Sequence, residues 1–242
     1  MSGTFLQLRG ISKRFGPQVI LDALDLDIPL NSHTTVIGRS GIGKSVLLKC
    51  ISGILKPDAG TISLCNSTES IPQFAYMFQQ NALFDSLNVF ENIALPLREK
   101  EKVTTQNLSK QVNRIIDELG LQNAAKKYPS EISGGMKKRA ALGRALISKP
   151  EIILFDEPTT GLDPERKFSV FDMIRSYRQQ FGFTVIMVSH DVPEVFGITD
   201  QVAWLDEGQI RYWGPPNELL ESPPVKLAGF LNPKLSTDKP TS

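Results

Sequence analysis

Gly38-Arg39-Ser40-Gly41-Ile42-Gly43-Lys44-Ser45 sets two glycines, a lysine and a hydroxyl in the order G-x-x-x-x-G-K-S. A loop of this kind turns successive backbone N–H groups toward one anion. A helix opening at Lys44 and Val46 adds its positive end at the same point. Lys44 brings a formal charge for outer phosphates, and Ser45 brings a hydroxyl suited to Mg²⁺. The chemistry these residues suggest is the binding of a nucleotide's phosphates.

Further groups need a place around that loop. Ile152-Ile153-Leu154-Phe155 is an apolar run ending in Asp156 and Glu157. A buried strand excludes charge from its middle, but ligands bind where such strands end. Asp156 then reaches a cation held by Ser45, and Glu157 is placed to polarise an attacking water. Ser133-Gly134-Gly135-Met136 reads as a capped helix start with two side chains removed, a second place for an anion. His190 follows an apolar strand, Gln79 follows another, and Phe15 could stack on an aromatic base or cover a sheet edge.

Strand-like runs cover 5–8, 34–37, 61–64, 74–78, 152–155, 184–188 and 202–205, with 209–213 as the second arm of a hairpin across Glu207-Gly208. Helical periodicity covers 44–55, 108–119, 134–147 and 165–181. Alternating strands and helices predict an α/β fold around a mainly parallel sheet. The region 86–147 has helical periodicity without a convincing strand and reads as a helical insertion. One domain over 1–235 with a frayed polar tail at 236–242 is expected.

The chain has 242 residues, with 27 basic against 26 acidic side chains. That balance offers no global field for nucleic acid. Its densest basic cluster, Lys137-Lys138-Arg139, reads as a solvated helix face. Cys50 and Cys65 lack metal-site spacing and read as buried thiols in a reducing compartment. Only His33 and His190 are histidines, which excludes a histidine-rich metal site. No signal peptide or membrane span is visible, so any tie to a membrane is expected to come through a partner.

Taken in order, these motifs resemble the nucleotide-binding subunit of ABC transporters, from about Phe5 to Leu220. The resemblance implies a P-loop NTPase fold of ABC type: a mainly parallel core, a helical subdomain and a small antiparallel β-subdomain. GRSGIGKS matches the Walker A loop, IILFDEP the Walker B strand, ISGGM the signature motif and Gly161-Leu162-Asp163 the D-loop. Phe15 then stacks on adenine, while Ser45, Gln79 and Asp156 form the Mg²⁺ shell. Glu157 is the base and His190 contacts the γ-phosphate. Ser133, Gly134 and Gly135 bind ATP held by a second copy, so that a head-to-tail homodimer sandwiches two ATP molecules.

Met136 stands where many ABC subunits carry glutamine. Together with FQQNALFDSLNVFENIALPLRE and SHDVPEV, it resembles ATPases of Mla/Mce-type lipid transporters. That implies phospholipid or related hydrophobic cargo, a multispanning permease, an Mce-domain partner, and a place on the cytoplasmic face of the inner membrane. Importers of other small solutes, such as amino acids or metal ions, share the same motor motifs. An assembly module that binds ATP without hydrolysis is disfavoured by Glu157 and His190. An ATPase acting on ribosomes or DNA gains no support from a chain with one cassette and no long coiled-coil insertion. The resemblance also implies that the segment 81–90 forms a groove for a short permease helix, the alternative being that Leu83, Phe84, Leu87 and Phe90 pack the helical insertion. The short segment 66–73 implies a trimmed β-subdomain.

Overall fold

The structure is a computed structural model that describes residues 4–65, 74–77, 83–99 and 104–231. Gln79, the segment 66–73 and the tail 236–242 lie outside the described residues.

Two sheets organise the chain. Strands β1 (Thr4–Phe15), β2 (Gln18–Pro29) and β4 (Ala59–Leu64) form an antiparallel sheet in the order β2-β1-β4. The other sheet contains β3 (His33–Ile37), β5 (Phe74–Met77), β6 (Ile152–Asp156), β7 (Thr184–Val188), β8 (Gln201–Asp206) and β9 (Gln209–Gly214). Its order is β5-β6-β7-β3-β8-β9, parallel except for β9, which pairs antiparallel with β8 as the hairpin reading expects.

Strands β6 and β7 are buried on both faces, which is why 152–155 and 185–188 read as unbroken apolar runs. Ile153, Phe155, Val185 and Met187 join the core on the helical side. Ile152, Leu154, Ile186 and Val188 join the core shared with the antiparallel sheet. One strand period thus supplies two cores.

The helices are α1 (Lys44–Ile51), α2 (Val89–Arg98), α3 (Thr105–Glu118), α4 (Gly134–Leu146), α5 (Pro164–Phe181), α6 (Pro216–Glu221) and α7 (Val225–Leu231). Between 86 and 147 the described residues hold α2, α3 and α4 and no strand, as the helical insertion requires. Helix α1 is shorter than expected because Gly53 takes a left-handed φ of 75° and turns the chain. Strand β2 has no counterpart among the expected elements. Its acids Asp22 and Asp25 sit on the exposed side while Leu24, Leu26 and Ile28 enter the core.

Two expectations are corrected. Cys50 is buried, but Cys65 is only partly so, because it lies just beyond β4. Lys137-Lys138-Arg139 is not a solvated face; all three are half-buried. Lys138 Nζ donates to the carbonyl of Pro158, and Arg139 donates to that of Leu119 at 2.9 Å. Long side chains can bury their stems while their heads find such carbonyls.

Candidate nucleotide site

The glycine loop joins β3 to α1 at the C-terminal edge of the parallel strands. Gly38 and Gly43 are required by the chain itself. A Cβ on Gly38 would stand 2.5 Å from the Leu205 carbonyl oxygen, and one on Gly43 would stand 2.6 Å from Ile20 Cγ2. Both also have positive φ, 154° and 114°, where side chains are rarely accommodated. Strand β2 therefore supports the loop through Ile20. Arg39, Ser40 and Gly41 are exposed at its tip, with Ile42 and Val46 half-buried.

Lys44 is buried at 4% exposure, and its Nζ donates to the carbonyls of Gly38 at 2.9 Å and Arg39 at 3.0 Å. Burial pushes its pKa down, while the nearby Glu157 and Asp156 carboxylates act the other way. The ammonium therefore lies folded against the loop that would hold phosphate.

Beside it, Ser45 Oγ donates to Asp156 Oδ1 at 2.8 Å. This places the first residues of α1 against the end of β6. Hard oxygens from one hydroxyl and one carboxylate fit Mg²⁺, which commonly takes few protein ligands and completes its shell with phosphate oxygens and water. Among the described residues no cluster of three or more acidic, histidine or cysteine side chains forms a self-contained metal cage. Tyr76 Oη donates to the other oxygen, Oδ2, at 2.8 Å. Burial raises the Tyr76 pKa, and its hydrogen bond to Asp156 adds to that.

Glu157 has an uncommon positive φ of 50°. Such a conformation persists where its surroundings fix it. Here its N–H donates to Val188 O at 3.0 Å, and its Oε2 accepts from Thr160 Oγ1 at 2.9 Å. His190 Nδ1 lies 3.4 Å from the same Oε2. The next residue, Asp191, is nearly inaccessible and binds Lys167 and Thr159. Burial pushes the Asp191 pKa up, but hydrogen bonds from Lys167 and Thr159 outweigh it and hold the carboxyl below its ordinary value. That anchored residue fixes the backbone carrying His190.

Ser133 caps α4, its Oγ accepting from Met136 N at 3.3 Å. Ser133, Gly134 and Gly135 are exposed, and a Cβ on either glycine would meet nothing within 4 Å. Met136 instead packs on the helical core. Asp163 caps α5, accepting from Arg166 N at 3.0 Å. Phe15 ends β1 half-exposed, with Lys13 Nζ 5.8 Å from its ring centre.

The structure thus brings Lys44, Ser45, Asp156, Glu157 and His190 to one sheet edge. Ser133 to Gly135 form a separate, outward-facing helix start. Sequence reasoning missed Tyr76, Thr160, Lys138 and Asn92. Asn92 offered a signal, a polar residue amid apolar ones. It is fully buried, accepts from Phe84 N at 2.8 Å, and donates to the carbonyls of Phe84, Leu87 and Asn88. Phe84, whose backbone the clamp holds, is 52% exposed, with its ring centre 5.9 Å from the Arg144 guanidinium. Both line a groove of about 440 Å³ with Tyr76, Met77, Leu95 and Ala141.

Residues 21–160 match the family described as ABC transporter. The chain is 37% identical over 239 residues to the intermembrane phospholipid transport system ATP-binding protein MlaF of Escherichia coli K12, covering 94% of this chain and 88% of that one. It is also 37% identical over 240 residues to the probable ribonucleotide transport ATP-binding protein mkl of Mycobacterium leprae, covering 95% and 69%. Among solved structures, cbiO1 from Clostridium perfringens, part of the ABC transporter complex cbiONQ, shares the fold with a TM-score of 0.81. It is 24% identical, and the match covers 96% of this chain and 97% of that one. The ATP-binding cassette MJ0796, dimeric and bound to ADP and Pi after hydrolysis, matches with a TM-score of 0.72 and 25% identity over 87% of this chain and 98% of that one.

Proposed function

This chain belongs to the ABC transporter family, and from that premise we propose that it powers phospholipid movement between envelope membranes. Cassettes of this family bind and hydrolyse ATP, and they act as dimers attached to a membrane permease. No helix among the described residues is long and apolar enough to cross a membrane. In this reading the chain sits on the cytoplasmic face of the inner membrane through that permease, with an Mce-domain lipid-binding protein in the same complex.

The roles are those the resemblance implies, supported for the described residues by where their side chains lie. The loop Gly38 to Ser45 cradles the phosphates, and Lys44 moves from its loop carbonyls onto the outer ones. Phe15 stacks on the base, and Val46 continues the helix whose positive end faces the anion. Ser45 and Asp156, together with Gln79 as the resemblance implies, would hold Mg²⁺, which would neutralise phosphate charge. Glu157 orients the attacking water, and His190, beside it, contacts that water and the γ-phosphate. Ser133, Gly134, Gly135 and Asp163 serve the site of the partner copy. One domain spans 1–235, with 86–147 as its helical subdomain.

The observation that carries the motor is the convergence of Ser45, Asp156, Glu157 and His190 at the ends of β6 and β7. The cargo rests on the 37% identity to MlaF over most of both chains. Copurification with its native membrane partners tests it. ATP-dependent transfer of labelled phospholipid between vesicles is expected, together with an Mce-domain protein in the complex. Transport of a small polar solute instead would overturn the lipid assignment and leave the ATPase intact.

A further inference from the structure

The carboxylate of Asp156 is divided between two hydroxyls. Its Oδ1 accepts from Ser45 Oγ and its Oδ2 from Tyr76 Oη, each at 2.8 Å. Tyr76 stands on β5 directly beside Leu154 of β6, and its ring packs on the core beneath the antiparallel sheet. A phenylalanine would pack the same ring. The hydroxyl is what reaches the carboxylate.

A carboxylate turns easily about its terminal torsion, whose well is broad. With one donor it can pivot; with a donor on each oxygen its plane is fixed. We propose that Tyr76 is a positioning residue for ATP hydrolysis, holding Asp156 Oδ2 so that Oδ1 stays turned toward Ser45 and the metal shared with ATP. The proposal rests on the reading of Asp156 as part of that metal's shell. Partners behind a metal-binding carboxylate commonly change metal affinity by about tenfold or more when removed.

The test uses the full chain with Mn²⁺ as the probe, followed by its paramagnetic resonance signal. Tyr76→Phe is expected to leave ATP affinity in EDTA within about twofold and to keep the wild-type melting temperature. Affinity of the ATP-bound protein for Mn²⁺ should fall about tenfold. Tyr76→Met, a second apolar filler, should give the same shift. Asp156→Asn serves as the reference and should weaken Mn²⁺ binding further. In that background Tyr76→Phe should add nothing, because the two side chains act as a unit. Unchanged Mn²⁺ affinity in Tyr76→Phe, with a loss in Asp156→Asn, would overturn the proposal alone. Equal losses of ATP affinity with and without metal would overturn it too, since they mark packing. Unchanged Mn²⁺ affinity in Asp156→Asn would remove Asp156 from the metal shell and the proposal with it.

Discussion

Two glycine-bearing helix starts, those of α1 and α4, are built differently in this protein. At the loop before α1, the chain's own atoms forbid side chains: a Cβ on Gly38 or Gly43 would come within 2.6 Å of Leu205 or Ile20. At the start of α4, a Cβ on Gly134 or Gly135 would meet nothing within 4 Å. The first loop is explained from inside one subunit. The second is not, because among the described residues no atom beyond its own helix would touch a side chain there. In the dimer we propose, ATP held by the partner copy is what comes close to it. Lys138 links α4 to the end of β6 by donating to the carbonyl of Pro158, next to Glu157.

Removing the base we propose should have the largest effect. Glu157→Gln keeps the size of the side chain and loses the carboxylate, so kcat should fall by about 10²- to 10⁴-fold. ATP affinity should stay near wild type, as equilibrium binding would show.

Gly134→Asp attacks the other region. A carboxylate at the first turn of α4 suits the helix dipole and meets open space, so stability should change by no more than about 0.5 kcal/mol. Facing the partner's phosphates it should lower ATPase activity by at least about a hundredfold. Binding at the mutant's own loop should survive. A large drop in melting temperature would instead show that the fold does need glycine there.

Lys44→Ala should separate the regions from the opposite side. Losing charge-assisted hydrogen bonds to phosphate should weaken ATP binding by roughly tenfold to a hundredfold. The exposed start of α4 should be untouched, and limited proteolysis near Ser133 would check that.

The smallest effect is expected away from both. Phe84 is held outward by the Asn92 clamp at the edge of the groove. Exposed aromatic anchors of this kind are frequent at interfaces. Phe84→Ala should lower the ATPase rate of the reconstituted permease complex by about fivefold and leave ATP affinity of the isolated subunit within about twofold. Equal losses in both would reduce Phe84 to packing.

How much of this was legible beforehand follows from the range of the interactions. The glycine loop, the acids ending β6 and the cap of α4 are local patterns, and each stands where its sequence placed it. The whole of β2 was missed although Leu24, Leu26 and Ile28 alternate with Asp25 and Asp27, because the acids dilute a strand that is buried on one face only. The basic run at 137–139 was misread because its carbonyl partners lie about twenty residues away in sequence. Tyr76 drew no notice within the strand-like run 74–78 because its partner Asp156 is 80 positions downstream.

In the reading we propose, a second copy completes each catalytic site. Glu157→Gln, incubated with ATP and measured by light scattering, should form a stable dimer that disappears when nucleotide is removed. Glu157→Gln combined with Gly134→Asp should bind ATP with similar affinity yet remain monomeric. A double variant that dimerises with ATP as well as the single one would contradict the account.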